Sequence, residues 1–322
     1  MKKPILYPPA VFNVFKPVGM SSYDVIRHFK RNLNTGFGKI GHFGTLDPFA
    51  CGVLLVGIAG ATRINNLVHD LFPKTYLAVG KLGVYTETGD LTVPERKIDD
   101  GEYLKKTIAS FSADFIEKTV LEKFLGPYEQ SPHQYSASKF QGRPLHEWAR
   151  EGVKIKKDEV RREIYAIEVV KYSFPYLSMR FCVSSGTYIR TLFQDVAKYL
   201  GTCGTLISLV RESIGHISMS DSLKRYSWPE KDEIFDVKAN GMKLTDILPF
   251  GKIGISGELA RRYKNGNPFR FNQDGHVQLD DANGTVLSGS DYFWIYDDDD
   301  KLVGLSRLVN DEFKAVFNIV SS

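Results

Sequence analysis

Apolar and polar positions fall into a few clear patterns along the chain. Val11 to Phe15 reads as a short strand, and Lys16-Pro17-Val18-Gly19-Met20 after it as a loop. Ser21 or Ser22 can then cap a helix with Asp24 in its first turn. Val25, Ile26 and Phe29 form the apolar face of that helix, and Arg27, Lys30 and Arg31 lie elsewhere on it. Within the glycine-rich passage 36–60, Gly52 to Gly57 reads as a buried strand, and Tyr76 to Leu82 as another. Leu104 to Phe111 predicts a short helix and Met179 to Val183 a strand. Thr191 to Leu200 predicts a helix with Leu192, Val196, Tyr199 and Leu200 on one face and Gly201 at its end.

The pattern changes around Asp246 to Gly254. A helix, Ser256 to Asn265, is ended by Gly266. Short strand-like runs follow at Val277 to Leu279, Tyr292 to Tyr296, Leu302 to Leu305 and Ala315 to Ile319. The turn signals among them are Asp280 to Gly284 and Asp297 to Lys301. The acidic run Asp297 to Asp300 reads as a solvated hairpin turn without calcium-loop spacing. These runs form a small β-rich module with a boundary expected near residue 250, giving domains 1–250 and 251–322.

Composition adds exclusions. The 322 residues are 43% hydrophobic and 25% charged, ordinary for a globular chain, and no apolar run approaches the roughly 20 residues of a membrane span. No signal peptide is expected at the N-terminus. Cys51, Cys182 and Cys203 are odd in number and lack C-x-x-C spacing, which argues against a disulfide framework and a structural zinc site. A reducing, cytoplasmic location is expected. The net charge of +4 permits a nucleic-acid partner without demanding one, since local clustering decides that question.

The densest chemistry lies in Gly41-His42-Phe43-Gly44-Thr45-Leu46-Asp47-Pro48-Phe49-Ala50-Cys51-Gly52-Val53-Leu54. Pro48 biases Asp47 away from helix, and glycines give the loop freedom, so a carboxylate is held where a loop enters an apolar strand. Taken alone, Asp47 also reads as an ordinary Asp-Pro turn residue.

That G-H-x-G-x-L-D-P-x-A-x-G-V-L string resembles the signature of TruB-type pseudouridine synthases. Four further segments resemble that family in the same order: Lys16 to Ser22; Lys74-Thr75-Tyr76 with Leu82-Gly83 and Thr86 to Asp90; Ser136 to Gly142; and Ser185 to Leu192. The resemblance covers roughly residues 11–215. Departures are Glu87 where the family has Asp, Phe43 where it has Thr or Ala, and His133-Gln134-Tyr135 in place of a more apolar run.

The resemblance implies an α/β (α+β) pseudouridine synthase fold around a mixed, mostly antiparallel sheet. An insertion over about 120–160 would grip RNA, and the end of the chain would be a PUA-like RNA-binding domain. It implies isomerisation of the T-loop uridine, position 55, of tRNA, with neither redox change nor group transfer, so no cofactor and no metal is expected. Asp47 is the implied catalytic carboxylate, with attack on sugar, attack on base and removal of a ribose proton all open. Arg190 would pair with Asp47 and lower its pKa. A surface cation at a helix start would be poorly placed there without an anion. Tyr76 would stack on the uracil, with Tyr188 lining the pocket and Leu209 closing it. His42 would stack within the RNA, filling space left by the extruded base. Taken singly, each of these four also reads as a packing or hydrogen-bonded residue. Lys16 and Lys139 complete the implied substrate-binding set.

Lys139, Arg143, Arg150, Lys154, Lys156, Lys157, Arg161 and Arg162, with Phe140 and Trp148, read as an RNA-backbone surface; the interspersed Glu147, Glu151, Asp158 and Glu159 leave a solvated mixed face as the alternative for its later part. The rival enzyme reading is a guide-RNA-dependent synthase; Lys139 to Arg150 looks like the bacterial stand-alone form, so no guide RNA is expected. The rival from another class is a binding or tRNA-folding protein, against which the carboxylate Asp47 stands. The expected partner is the T arm of tRNA, met by a monomer.

Overall fold

The structure is a computed structural model that describes residues 7–33, 36–95, 97–136, 138–153, 155–231, 233–270, 278–280 and 291–319. The chain opens with β1 (Ala10–Lys16), α1 (Ser22–Asn32), β2 (Ile40–Phe43) and β3 (Cys51–Ile58). A helical turn at Ala59–Ile64 leads to α2 (Asn65–Leu71), β4 (Lys74–Leu82) and the short pair β5 (Val84–Tyr85) and β6 (Lys97–Ile98). Helical turns at Tyr103–Thr107 and Ile108–Ser110 precede α3 (Ala113–Phe124), β7 (Gly126–Gln130), the hairpin β8 (Lys139–Phe140) and β9 (Arg143–Pro144), and α4 (Leu145–Arg150). Then come β10 (Val160–Ser173), β11 (Tyr176–Val183), α5 (Ile189–Tyr199), β12 (Gly204–Ile214) and β13 (Ile217–Ser218). The last part holds α6 (Val237–Asn240), α7 (Leu244–Ile247), β14 (Gly251–Gly254), α8 (Gly257–Lys264), β15 (Phe269–Arg270), β16 (Gln278–Asp280), β17 (Tyr292–Tyr296), β18 (Leu302–Val309) and β19 (Glu312–Asn318).

Among the described residues, two large sheets form. The first has nine strands on the path β1-β3-β12-β4-β11-β10-β7, with β2 on β3 and β13 on β12. All its pairs are antiparallel except β3 with β12, which meet in parallel over only two residues, Cys51↔Val210 and Gly52↔Arg211. The second has six strands, β15-β19-β18-β17-β14-β16, with β14 and β17 parallel. The fold is therefore mixed α/β with a β-rich C-terminal region.

α1 forms where the polar and apolar spacing places it. Ser21 caps it through the Asp24 amide, and the Asp24 carboxylate returns the bond to the Ser21 amide. Val25, Ile26 and Phe29 pack on Phe12, Val14, Leu54 and Val56. β11 alternates cleanly, with Leu177, Met179, Phe181 and Val183 buried. The stripe Ile189, Leu192, Phe193 and Val196 of α5 lies on that face. Tyr199, expected on the same stripe, is exposed; the inner face turns through Phe193 and Ala197 instead. α5 lies very close to β4 at Gly80, where any Cβ would sit 2.0 Å from the Phe193 ring.

The departure Phe43 is a packing residue: it is buried, and its ring fills the space above Gly57. The expected strand at 277–279 is described only from Gln278, and Val277, the turn residues 281–284 and Lys154 lie outside the described residues. The two sheets share one apolar cluster. Val11, Phe43, Leu55, Val68 and Ile217 meet Ile247, Leu248, Trp294, Leu305 and Phe317 there. The Trp294 indole donates to the Leu248 carbonyl at 2.7 Å.

Candidate active site

The loop between β2 and β3 carries Asp47, and its backbone polar groups are held one after another. Arg211 donates from Nη2 to the Gly44 carbonyl at 3.1 Å and from Nη1 to the Thr45 carbonyl at 3.4 Å. The Leu46 amide donates to Ser22 Oγ at 2.8 Å, and that hydroxyl donates back to the Leu46 carbonyl at 3.1 Å. The Asp47 carbonyl accepts from the Ala50 amide at 3.1 Å, and the Pro48 carbonyl accepts from the Gly19 amide at 2.8 Å. A loop with its polar groups so engaged presents its side chain in a fixed place.

Asp47 faces Arg190, which lies in the first turn of α5. Arg190 Nε meets Asp47 Oδ2 at 2.9 Å, and Nη2 meets Oδ1 at 3.0 Å, a two-toothed pairing. Arg190 Nη1 donates to the Thr88 carbonyl at 2.7 Å and lies 3.3 Å from Asp90 Oδ2, while Nη2 also reaches the Tyr135 carbonyl at 3.2 Å. Five N–H groups thus meet five acceptors. The guanidinium is 4% exposed, whereas the Asp47 side chain is 33% exposed and opens to the cleft. The anion that a cation at a helix start requires is supplied twice, by Asp47 and Asp90.

The electrostatic balance at Asp47 differs from the expectation. Burial pushes its carboxyl above the ordinary value; the Arg190 guanidinium pulls it back without reversing the shift, and neighbouring Asp90 adds to the rise. Arg190 therefore orients the carboxylate and limits the rise rather than lowering the pKa outright. Lys16, fully buried at the end of β1, donates to the Pro17 and Met20 carbonyls at 3.0 and 2.6 Å. Burial pushes its ammonium down to about 8, against the opposing pull of Cys51 and Asp47. It thus holds the 17–20 loop beside Pro48.

One register row crosses the sheet as Lys16, Gly52, Arg211, Tyr76 and Phe181. Tyr76 and Phe49 pack, partly buried, against the apolar cluster that includes Leu46, Ala50 and Leu209. Tyr188 precedes α5; its amide and carbonyl are both held by the Gln130 side chain, at 2.8 and 3.0 Å, and its ring lies against His133 at 6.5 Å between centroids. His42 is half-buried on β2, and burial, then the charge of Arg211, pushes its pKa down. Lys139 stands apart on the exposed β8–β9 hairpin, where its carbonyl accepts from Lys157 Nζ at 3.1 Å. Arg143 on that hairpin is paired with Glu147 and Glu151 and lies over Trp148.

Two departures from the family pattern meet in space: Tyr135 Oη donates to Glu87 Oε2 at 3.3 Å. His133 is buried, and burial followed by the Arg190 charge pushes its pKa down to about 3. Asp90, Arg211 and Gln130 are supporting residues that the sequence reading assigns no role; Ser22, read as an alternative cap of α1, bonds Leu46 instead while Ser21 caps the helix. The signal for Arg211 is an arginine closing the apolar run Leu206 to Val210. Among the described residues, no group of three or more His, Cys, Asp or Glu side chains could hold a metal ion, and no helix is long and apolar enough to cross a membrane.

Comparison with known proteins adds a family. The model described as TruB family pseudouridylate synthase (N terminal domain) matches residues 30–189. The tRNA pseudouridine synthase B of Caldicellulosiruptor saccharolyticus is 32% identical over 299 residues, covering 88% of this chain and 92% of the relative. The protein of the same name from Thermotoga maritima is 39% identical over 220 residues, covering 68% and 67%. Among solved structures, the one described as a Cbf5-Nop10-Gar1 complex matches with a TM-score of 0.66 at 20% identity, over 97% of this chain and 85% of that one. At that identity the likeness concerns the fold.

Proposed function

The chain belongs to the TruB family of pseudouridylate synthases, isomerases that act on tRNA, and from that premise we propose that it isomerises the T-loop uridine at position 55, with Asp47 as the catalytic carboxylate. In this reaction the N1–C1′ bond breaks, a C5–C1′ bond forms, the proton on C5 leaves and one is taken up at N1. Atoms balance within the nucleotide, so the reading includes no cofactor. Asp47 is the ionised group that meets the sugar–base linkage, and Arg190 orients it and keeps it charged.

The observation that carries this reading is the two-toothed Arg190–Asp47 pair at the cleft, with one partner buried and the other open. Tyr76 then stacks on the extruded uracil, Tyr188 and Leu209 line the pocket, and His42 stacks in the RNA where the base has left. Lys16 supports the RNA-facing 17–20 loop, and Lys139 contributes to backbone affinity. The reading divides the chain into a catalytic domain to about residue 250, with about 120–160 gripping the T arm, and a PUA-like RNA-binding domain over 251–322. In this reading it acts as a cytoplasmic monomer without a guide RNA; the shared name of the relatives at 31–39% identity supports tRNA as the substrate.

The test is release of tritium from C5 of uridine in unmodified tRNA, with no guide RNA or metal added. Asp47→Asn should lower turnover by about 10⁴-fold or more while tRNA affinity stays within severalfold. Near-normal turnover by that variant removes Asp47 from the role. Product at another uridine removes the T-loop assignment.

A further inference from the structure

Arg211 is an unusual buried cation. It is 1% exposed, and no described carboxylate lies within 4.0 Å of it in an ion pair. Its partners are backbone carbonyls on both sides of Asp47: Gly44 and Thr45 on the loop arm before it, and Val53 on the β3 arm after it, which accepts from Nε at 2.7 Å. Burying a guanidinium without a counter-ion is costly unless hydrogen bonds replace its water. Here those bonds fall on the segment that carries the reacting carboxylate.

The sheet explains why this side chain is needed. β12 and β3 are in register only at Cys51↔Val210 and Gly52↔Arg211, the first residues of β3 as the chain leaves the Asp47 loop. Gly52 has φ +112, and a Cβ there would stand 2.2 Å from the Arg211 carbonyl oxygen, so the two backbones nearly touch. That close approach delivers the Arg211 fork beneath the loop. A planar fork with several donors can span three carbonyls on two arms; an ammonium concentrates its donors at one point.

Resting on the reading of Asp47 as the catalytic carboxylate, we propose that Arg211 is a positioning residue for the reaction: its fork fixes the two arms of the loop so that Asp47 stands in line with Arg190. Ser22 pins Leu46 alone, whereas Arg211 reaches both arms, so its loss lets the loop shift as a unit.

The experiment compares wild type, Arg211→Lys, Arg211→Met and Asp47→Asn in steady-state tritium release from unmodified tRNA, with urea unfolding alongside. Arg211→Lys should fold with a urea midpoint near wild type, keep KM within about threefold and lose kcat by about 10- to 100-fold. Arg211→Met should lose at least as much kcat if it folds; if it does not, the lysine variant decides. Wild-type kcat in Arg211→Lys overturns the proposal, as does a loss carried by KM alone. Activity in Asp47→Asn would instead defeat the underlying reading, which separates the two failures.

Discussion

The cleft and the β8–β9 hairpin both hold arginines among carboxylates, and they use them in opposite ways. In the cleft, Arg190 is buried and each of its N–H groups has a fixed acceptor, so the pair with Asp47 has one geometry. On the hairpin, Arg143 pairs through Nε with Glu147 and through Nη1 and Nη2 with Glu151, all three side chains in contact with water. Buried charge here sets direction. Exposed charge sets a field that salt can screen, and such pairs contribute little individually. A residue type therefore says less about function than the number of partners that pin it.

The largest effect that bears on this contrast should come from Arg190. Arg190→Lys keeps the charge but loses the fork, and kcat should fall on the order of 10²-fold, measured by single-turnover pseudouridine formation. A variant within threefold of wild type would mean that charge alone suffices in the cleft. Next is the acid limb of the pH profile. Activity needs the ionised Asp47, and burial raises its pKa, so kcat/KM should fall with decreasing pH at a pKa above the ordinary value of about 4. In Arg190→Gln, which removes the downward pull, the limb should move higher still. A limb below pH 4 contradicts the buried setting. The smallest effect should be on the hairpin. Arg143→Ala should weaken tRNA binding by less than about threefold and reduce the salt slope by less than about one, because its carboxylate neighbours already offset its charge. A full unit in a titration of affinity against KCl would give the hairpin the fixed role reserved for the cleft.

The same contrast governs how much could be read from the sequence. The Asp47 loop is legible because its requirements are local: a glycine, a proline and a carboxylate within a few positions, feeding an apolar strand. Ser21, Asp24 and the stripe of α1 are legible for the same reason. Arg211 is not, because its partners are carbonyls 158 to 167 residues away, and a carbonyl carries no residue identity. Asp90 stands in a recognisable stretch, yet its pairing with Arg190 across 100 residues exists only once β4 and α5 are packed. β10 and β12 escape a period-two reading because bulges interrupt both, at Ile164/Ala166 and Val169/Lys171 in one and at Leu206/Ser208 and Arg211/Ser213 in the other. Each bulge reverses the alternation that periodicity relies on. The direction of the Asp47 shift is hidden in the same way, since depth of burial is a property of the packed molecule.

The apolar cluster shared by the two sheets has a consequence for how the molecule comes apart. Phe43, one residue ahead of the Asp47 loop, is covered in the same cluster as Trp294, Leu305 and Phe317. Melting the C-terminal sheet would expose that cluster to water and release the strand that leads into the reacting carboxylate. From that shared cluster we expect the two sheets to melt together, so that heating removes catalysis and the C-terminal sheet at the same temperature.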